Sequence, residues 1–131
     1  MFSTEYKYEC DKLSNIVIGC AIEVHKYLGP GLLESCYEKC LCYELSKHNL
    51  EYKNQLYLPV HYKEIIIEPG YRLDVLIENK VIVDLKSVES ISPIFKAQMK
   101  TYLKLTNVWL GLILNFNVEV MKNGIERIVC G

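Results

Sequence analysis

Residues 71–86 read YRLDVLIENKVIVDLK and predict a β-hairpin, because two apolar runs flank a short polar turn. If the turn centres on Asn79, Asp74 and Asp84 lie opposite each other, about 5 Å apart. Two carboxylates that close repel each other unless a proton or a cation lies between them. Lys86 shares the face of Asp84, because strand side chains alternate with a period of two. The stretch therefore predicts an Asp-Asp-Lys cluster suited to a divalent metal.

Length and composition indicate one globular domain spanning residues 1–131, since 50% of the residues are hydrophobic and 24% are charged. No apolar run approaches the roughly 20 residues that a bilayer-spanning helix needs. The polar stretch 1–11 lacks the apolar region of a signal peptide. We therefore expect a cytoplasmic protein without membrane contact. The net charge of −1 weighs mildly against non-specific nucleic-acid binding as the main task, but it leaves room for a local basic cleft.

The six cysteines predict buried free thiols, because cysteine is among the most buried residue types. Without a secretion signal a disulfide framework is not expected. The CxxC spacing typical of zinc sites is absent from the sequence. A cysteine-based metal or redox protein is a further interpretation, and elemental analysis of the purified protein for zinc or iron would test it.

Hydrophobic periodicity and turn residues predict two helices, a β-rich stretch that ends in the hairpin, a third helix and a strand, with one more strand at the sheet edge. The expected helices are 11–28, 32–47 and 93–105. The expected strands are 52–62, 64–68, the two arms of the hairpin, 108–115 and the edge strand 125–129. The stretch 108–115 is almost unbroken in its apolar character, which is typical of a strand buried on both faces.

Two polar side chains are expected on inward helical faces. Glu34 precedes Tyr37 by three residues and Leu41 by seven, so it shares the apolar side of the second helix. Burial of an ionised carboxylate requires a partner or a metal, but a place in the first helical turn explains Glu34 equally well. Gln98 precedes Tyr102 by four residues and is expected on the apolar stripe of the third helix. A buried amide needs hydrogen-bond partners, and structural and functional explanations are about even.

These residues carry a resemblance to a known family. Residues 31–37, Gly-Leu-Leu-Glu-Ser-Cys-Tyr, resemble the signature of the GxxExxY protein family, and residues 23–30 resemble the leader of that signature. Asp74, followed by Asp84-Leu85-Lys86, resembles the PD-(D/E)XK motif of the restriction-endonuclease-like nuclease superfamily, to which the GxxExxY family looks related.

A further motif lies in the third helix, where Gln98 and Tyr102 resemble the Q-xxx-Y motif of exonuclease-like members. The resemblance covers residues 14–116, and it implies an α+β fold with a restriction-endonuclease-like αβββαβ core. Aspartate stands at position 84 where glutamate looks commoner, and Leu73 stands where the motif's name has proline; the motif allows both.

The resemblance implies that Asp74 and Asp84 hold Mg²⁺, with Mn²⁺ as a substitute, and that Glu34 reaches the same metal directly or through water. Lys86 would orient or help to deprotonate the attacking water and stabilise the pentacovalent phosphate. The second helix and the hairpin would thus share one metal site.

Three further roles follow from the same resemblance. Gln98 would orient the water or a phosphate, Tyr102 would support it, and Arg72 is a weaker candidate for phosphate contact. The implied function is metal-dependent hydrolysis of phosphodiester bonds in nucleic acid, DNA ahead of RNA. A homodimer fits this function, because small nucleases of this type often work as dimers. The alternative is a catalytically silent nuclease fold that binds nucleic acid or a protein partner.

Overall fold

The computed structural model describes residues 2–131 and shows a five-stranded mixed sheet with helices on both faces. The helices are α1 Thr4–Leu28, α2 Glu34–Lys47 and α3 Pro93–Thr106. The strands are β1 Tyr52–Tyr62, β2 Ile65–Ile77, β3 Val81–Lys86, β4 Leu110–Asn115 and β5 Ile125–Val129. A single 3₁₀ turn, Met121–Gly124, precedes β5. The expected α+β fold of the restriction-endonuclease-like type is confirmed.

The strands lie in the sheet in the order of the chain, β1-β2-β3-β4-β5. β1, β2 and β3 form an antiparallel meander. β3 and β4 are parallel and are connected through α3, since a parallel pair needs a crossover. β5 returns antiparallel to β4. The central strands β3 and β4 are therefore buried on both faces.

Two hydrophobic cores hold the helices to the sheet. The α1/α2 core includes Val17, Leu41, Leu45, Val83 and Leu112. The α3 core, on the opposite face, includes Leu73, Ile82, Met99, Leu103 and Ile113. Neighbouring residues of β3 alternate between the two cores, as period-two alternation requires.

β2 is one continuous strand where the sequence predicted two. Proline and glycine at positions 69 and 70 indicate a strand break, because proline lacks the donor that a ladder needs. In the structure the pairing steps from Leu58↔Tyr71 to Val60↔Ile67, so residues 68–70 form a bulge in β2. The separate strand expected at 64–68 is therefore the first part of β2.

The remaining boundaries differ by a few residues. The first helix begins at Thr4 rather than residue 11, because the Ser3 side chain caps it by accepting a hydrogen bond from the Tyr6 N–H.

All six cysteines are free, and burial raises the pKa of Cys20 and of Cys42 to about 11. Within residues 2–131, no helix has both the length and the apolar character needed to cross a membrane.

Candidate active site

The hairpin of β2 and β3 has the predicted turn. Residues 78 and 79 both adopt left-handed backbone, with φ of 53° and 55°, as in type I′ turns. The ladder between the strands ends at the pair Val75↔Val83. The same register places Asp74 opposite Asp84 one step beyond that pair. The predicted juxtaposition of the two aspartates is therefore present, at the point where the ladder stops.

β2 and β3 separate at Asp74, and its carboxylate fills the fork between them. Asp74 Oδ2 accepts a hydrogen bond of 2.9 Å from the backbone N–H of Leu85. The side chain of Asp84 lies within hydrogen-bonding reach of Asp74, and Lys86 Nζ lies 3.4 Å from Asp84 Oδ2. The structure thus brings together the three residues that the hairpin was expected to cluster.

Burial and the neighbouring carboxylate set the charge state of Asp84. The residue is 8% exposed, and burial raises its pKa to about 7. The hydrogen bond and charge of Asp74 act in the same direction, whereas Lys86 lowers the pKa. Asp84 therefore retains a proton in conditions where an isolated aspartate would be ionised. A pair of carboxylates offers only oxygen ligands and fits a hard divalent cation, which would replace that proton.

Two cations flank the carboxylates. Lys86 Nζ lies 4.3 Å from the centre of the Phe95 ring, so α3 covers part of the lysine side chain. Arg72 Nη2 lies 3.3 Å from Asp74 Oδ1, and the arginine side chain is 49% exposed. The arginine is therefore the more accessible of the two positive groups.

Glu34 is exposed, so the expectation that it faces inward on α2 is wrong. Its carboxylate accepts a hydrogen bond of 3.0 Å from the backbone N–H of Ser87, directly after Lys86. Within residues 2–131, no three His, Cys, Asp or Glu side chains lie close enough together to hold a metal ion. The structure therefore does not bring Glu34 together with Asp74 and Asp84 as a third ligand.

Gln98 is also exposed, and the expectation that it lies on the inward stripe of α3 is wrong. The helix buries Met99 and Leu103 instead. Its inward face therefore lies one residue, or about 100° around the helix axis, away from the expected stripe. Tyr102 is half-buried, and its ring stacks on Tyr71 with centroids 5.3 Å apart. Its pKa is raised by burial and then by the negative charges of both aspartates of the fork. Tyr102 therefore lies close to the cluster, with Gln98 one turn before it.

The buried carboxylate of α2 is Glu38, which the sequence analysis did not single out. Glu38 is 8% exposed and accepts hydrogen bonds from Gln55 Nε2 at 2.6 Å and Asn54 Nδ2 at 3.1 Å. Together with Glu34, Asp74 and other residues it lines a cavity of about 400 Å³. Its position three residues before Leu41 and seven before Leu45 is the helical spacing that could have revealed it.

The tyrosine of the 31–37 signature has a structural task. Tyr37 is fully buried, donates a hydrogen bond of 2.6 Å to the Gly29 carbonyl and accepts one of 3.1 Å from the Leu32 N–H. Its ring stacks on Phe116 with centroids 4.4 Å apart. The signature thus holds the loop between α1 and α2 against the end of β4.

Comparison with known proteins gives one match. A family model described as the PD-(D/E)XK nuclease superfamily matches residues 11–128, a stretch that begins within α1 and ends within β5. Asp74, Asp84 and Lys86 all lie inside it. No curated protein and no solved structure matches the chain. The finer resemblance to the GxxExxY family stays a prediction.

Proposed function

Because the chain belongs to the PD-(D/E)XK nuclease superfamily, we propose that it is a metal-dependent nuclease that hydrolyses phosphodiester bonds in nucleic acid, DNA ahead of RNA. The fork of β2 and β3, where Asp74, Asp84 and Lys86 meet, carries this proposal. Mg²⁺ is the proposed ion and Mn²⁺ its substitute, since both favour oxygen ligands.

Asp74 and Asp84 are the residues that would hold the cation. The raised pKa of Asp84 supports this assignment, because burial and the neighbouring Asp74 both disfavour an ionised Asp84 that has no cation beside it. A bound divalent metal supplies Lewis acidity, which makes water a better nucleophile and offsets charge on the scissile phosphate. Glu34 supports the site by holding Ser87, next to Lys86.

The remaining side chains act on the water and the phosphate. Lys86 orients the attacking water and stabilises the pentacovalent phosphate with its positive charge. Arg72 is exposed at the rim and contacts a phosphate oxygen. Tyr102 and the exposed amide of Gln98 lie in succession along α3 and support the substrate from that side.

A cleavage panel tests the proposal. Purified protein is incubated with single-stranded, double-stranded and branched DNA and RNA, in Mg²⁺, Mn²⁺ or EDTA. We expect cleavage of at least one substrate in metal, and a rate about 100-fold lower in Lys86→Ala, as for loss of one group that stabilises the transition state. The matched control is Lys122→Ala, an exposed lysine within the 3₁₀ turn. Absence of cleavage of every substrate, or equal rates in the two variants, would reject the proposal.

A catalytically silent module that binds nucleic acid or a protein partner is the second candidate. It is favoured by the pairing of both site cations, Arg72 with Asp74 and Lys86 with Asp84. This candidate predicts no heat of Mn²⁺ binding and unchanged partner binding when Asp74 becomes alanine. Calorimetry with Mn²⁺ separates the two. Two active copies would supply the two cuts of a duplex, so a homodimer belongs to the first candidate.

A further inference from the structure

β1 contains a strained residue in its interior. Gln55 has a φ of 51°, a left-handed conformation that a non-glycine residue in a strand rarely adopts. The pairs Asn54↔Val75 and Leu56↔Leu73 are formed on either side, but the step between them, where Gln55 faces Asp74, is not paired. Such strain persists only where the surroundings impose it, and it concentrates at functional sites.

At this step the side chains of both strands change the face of the sheet to which they point. Leu73 packs into the α3 core and Val75 into the α1/α2 core, although residues two apart in a regular strand face the same side. In β1, Tyr52 packs against the α1/α2 core and Leu56 against the α3 core. Asp74 therefore occupies the turning point of β2.

This turning point explains where the Asp74 carboxylate lies. In a regular strand the Asp74 side chain would point to one face of the sheet or the other, and in both cases it would stand perpendicular to the sheet. The Leu85 N–H that it accepts from belongs to the ladder of β3 and lies in the plane of the sheet. The local distortion thus brings the carboxylate into the fork.

Glu38 holds the strained residue from the helical layer. Its Oε1 accepts the 2.6 Å hydrogen bond from Gln55 Nε2, and its Oε2 accepts from Asn54. The carboxylate is buried, so it depends on these two donors. The short contact ties the side chain of the left-handed residue to α2.

We propose that Glu38, acting through Gln55, is a positioning residue that maintains the left-handed step of β1 and thereby keeps the Asp74 carboxylate in the fork. The consequence for catalysis rests on the proposed function, since Asp74 is a proposed metal ligand. The effect on the position of Asp74 does not depend on any activity.

Four variants separate this task from a merely structural one. Glu38→Ala removes the acceptor. Gln55→Gly supplies the left-handed conformation without a side chain, because glycine adopts positive φ without strain. The double variant Glu38→Ala/Gln55→Gly therefore regains the geometry that Glu38→Ala loses. Asn54→Ala is the matched control, because it removes the other donor to Glu38 at a residue that pairs regularly with β2.

The first measurement is the hydrogen exchange of the Leu85 amide by NMR in metal-free protein. We expect exchange about tenfold faster in Glu38→Ala, as for loss of one hydrogen bond to a charged group. The double variant recovers the slow exchange, and Asn54→Ala keeps it. Unchanged exchange in Glu38→Ala, or no recovery in a folded double variant, would overturn the proposal. Gln55→Val gives the same test with Glu38 intact, since a β-branched residue disfavours positive φ.

The second measurement is the cleavage rate in Mn²⁺. The expected rate of Glu38→Ala is about 100-fold below that of the wild type, the loss typical of a misplaced catalytic group. Recovery in the double variant supports positioning, whereas a direct contact of Glu38 with substrate would leave the double variant inactive. If the wild type cuts no substrate, the proposed function fails, and the exchange of Leu85 still decides the role of Glu38.

Discussion

At the level of single residues, Asp84 shows how a buried carboxylate beside a second one weakens the protein that carries it. The carboxylate is buried beside Asp74, and Lys86 compensates only part of that charge. Each ionised carboxylate in such a place costs free energy, because burial removes water and the neighbour repels. The fork is therefore a place where the proposed function opposes stability.

Replacement of Asp84 by asparagine is expected to change the pH dependence of stability. The pKa rises from 3.8 in the unfolded chain to about 7 in the folded protein, so the folded state binds the extra proton between these values. The free energy of unfolding of metal-free wild type should then fall as pH rises from about 4 to about 7 and level off above. In Asp84→Asn this loss, on the order of 4 kcal/mol over the whole range, should be absent.

Urea denaturation in EDTA between pH 5 and pH 8 measures this effect. Glu89→Gln, an exposed change of the same kind, is the control and should follow the wild type. Parallel pH profiles for Asp84→Asn and the wild type would contradict the assigned charge state.

The residues of the fork differ in how far the sequence could predict them. Asp74, Asp84 and Lys86 follow from a two-residue period and a turn at Asn79, which are local properties. The role proposed for Gln55 depends on a left-handed backbone that α2 imposes from a distant part of the chain. Such a conformation leaves no local pattern in the sequence.

At the level of elements, the end of β3 is held by its neighbours on two sides. The segment after Lys86 is bound to α2 through Glu34, and to the end of β4 through the Asn115 side chain. Asn115 is 2% exposed; it accepts from the Val88 N–H at 3.0 Å and donates to the Val88 carbonyl at 2.9 Å. The amide thus continues the parallel ladder beyond the last strand residue.

Asn115→Ala should destabilise the protein by about 2–3 kcal/mol, because the Val88 N–H loses its partner and the Val88 carbonyl keeps only a longer bond from Asn117. Asn117→Ala is the control, since the Asn117 side chain donates only one longer bond of 3.3 Å to the same carbonyl. Urea denaturation at one pH measures both. Equal effects of the two substitutions would show that the Asn115 amide contributes no more than an exposed one.

The packing of α3 on β4 permits a second prediction at this level. A side chain at Gly111 would collide with the buried Met99 of α3. Gly111→Ala is therefore expected to cost about 1–3 kcal/mol, as for overpacking of a core. In the double variant with Met99→Ala the collision disappears, so the combined loss should be smaller than the sum of the two single losses. Additive losses would mean that α3 shifts away from the new side chain at position 111, so that no collision with Met99 occurs.

Helices and strands were predictable wherever one period dominated, as in the apolar run that became β4. The continuity of β2 through residues 68–70 was not, because proline and glycine are compatible both with a break and with a bulge. The inward face of α3 was predicted to contain Gln98 and Tyr102, each one residue before the position that is buried. The polar and apolar residues of α3 are so mixed that its sequence fits more than one inward face. Packing against Gly111 and Ile113 of β4 decides that Met99 and Leu103 are buried.

At the level of the whole molecule, charge is balanced locally. The net charge is −1, and cations pair with carboxylates at several places on the surface as well as in the fork. The surface pairs are Lys80–Glu9, Lys96–Glu126 and Arg127–Asp11. A molecule with this distribution offers little long-range attraction to a polyanion. Affinity for nucleic acid must then come from short-range contacts at the site.

This balance predicts that nucleic-acid binding depends on the metal. Without a cation, a phosphate at the fork meets Asp74 and Asp84; with one, the local charge becomes positive. In the Lys86→Ala variant, which should cut about 100-fold more slowly, we expect binding of a fluorescent oligonucleotide about tenfold or more tighter in Mn²⁺ than in EDTA. Adding Asp74→Asn should remove most of that gain, and fluorescence anisotropy measures both. Equal affinity in Mn²⁺ and EDTA would favour the silent binding module, because a site that recruits its substrate through the ion cannot bind it equally well without one.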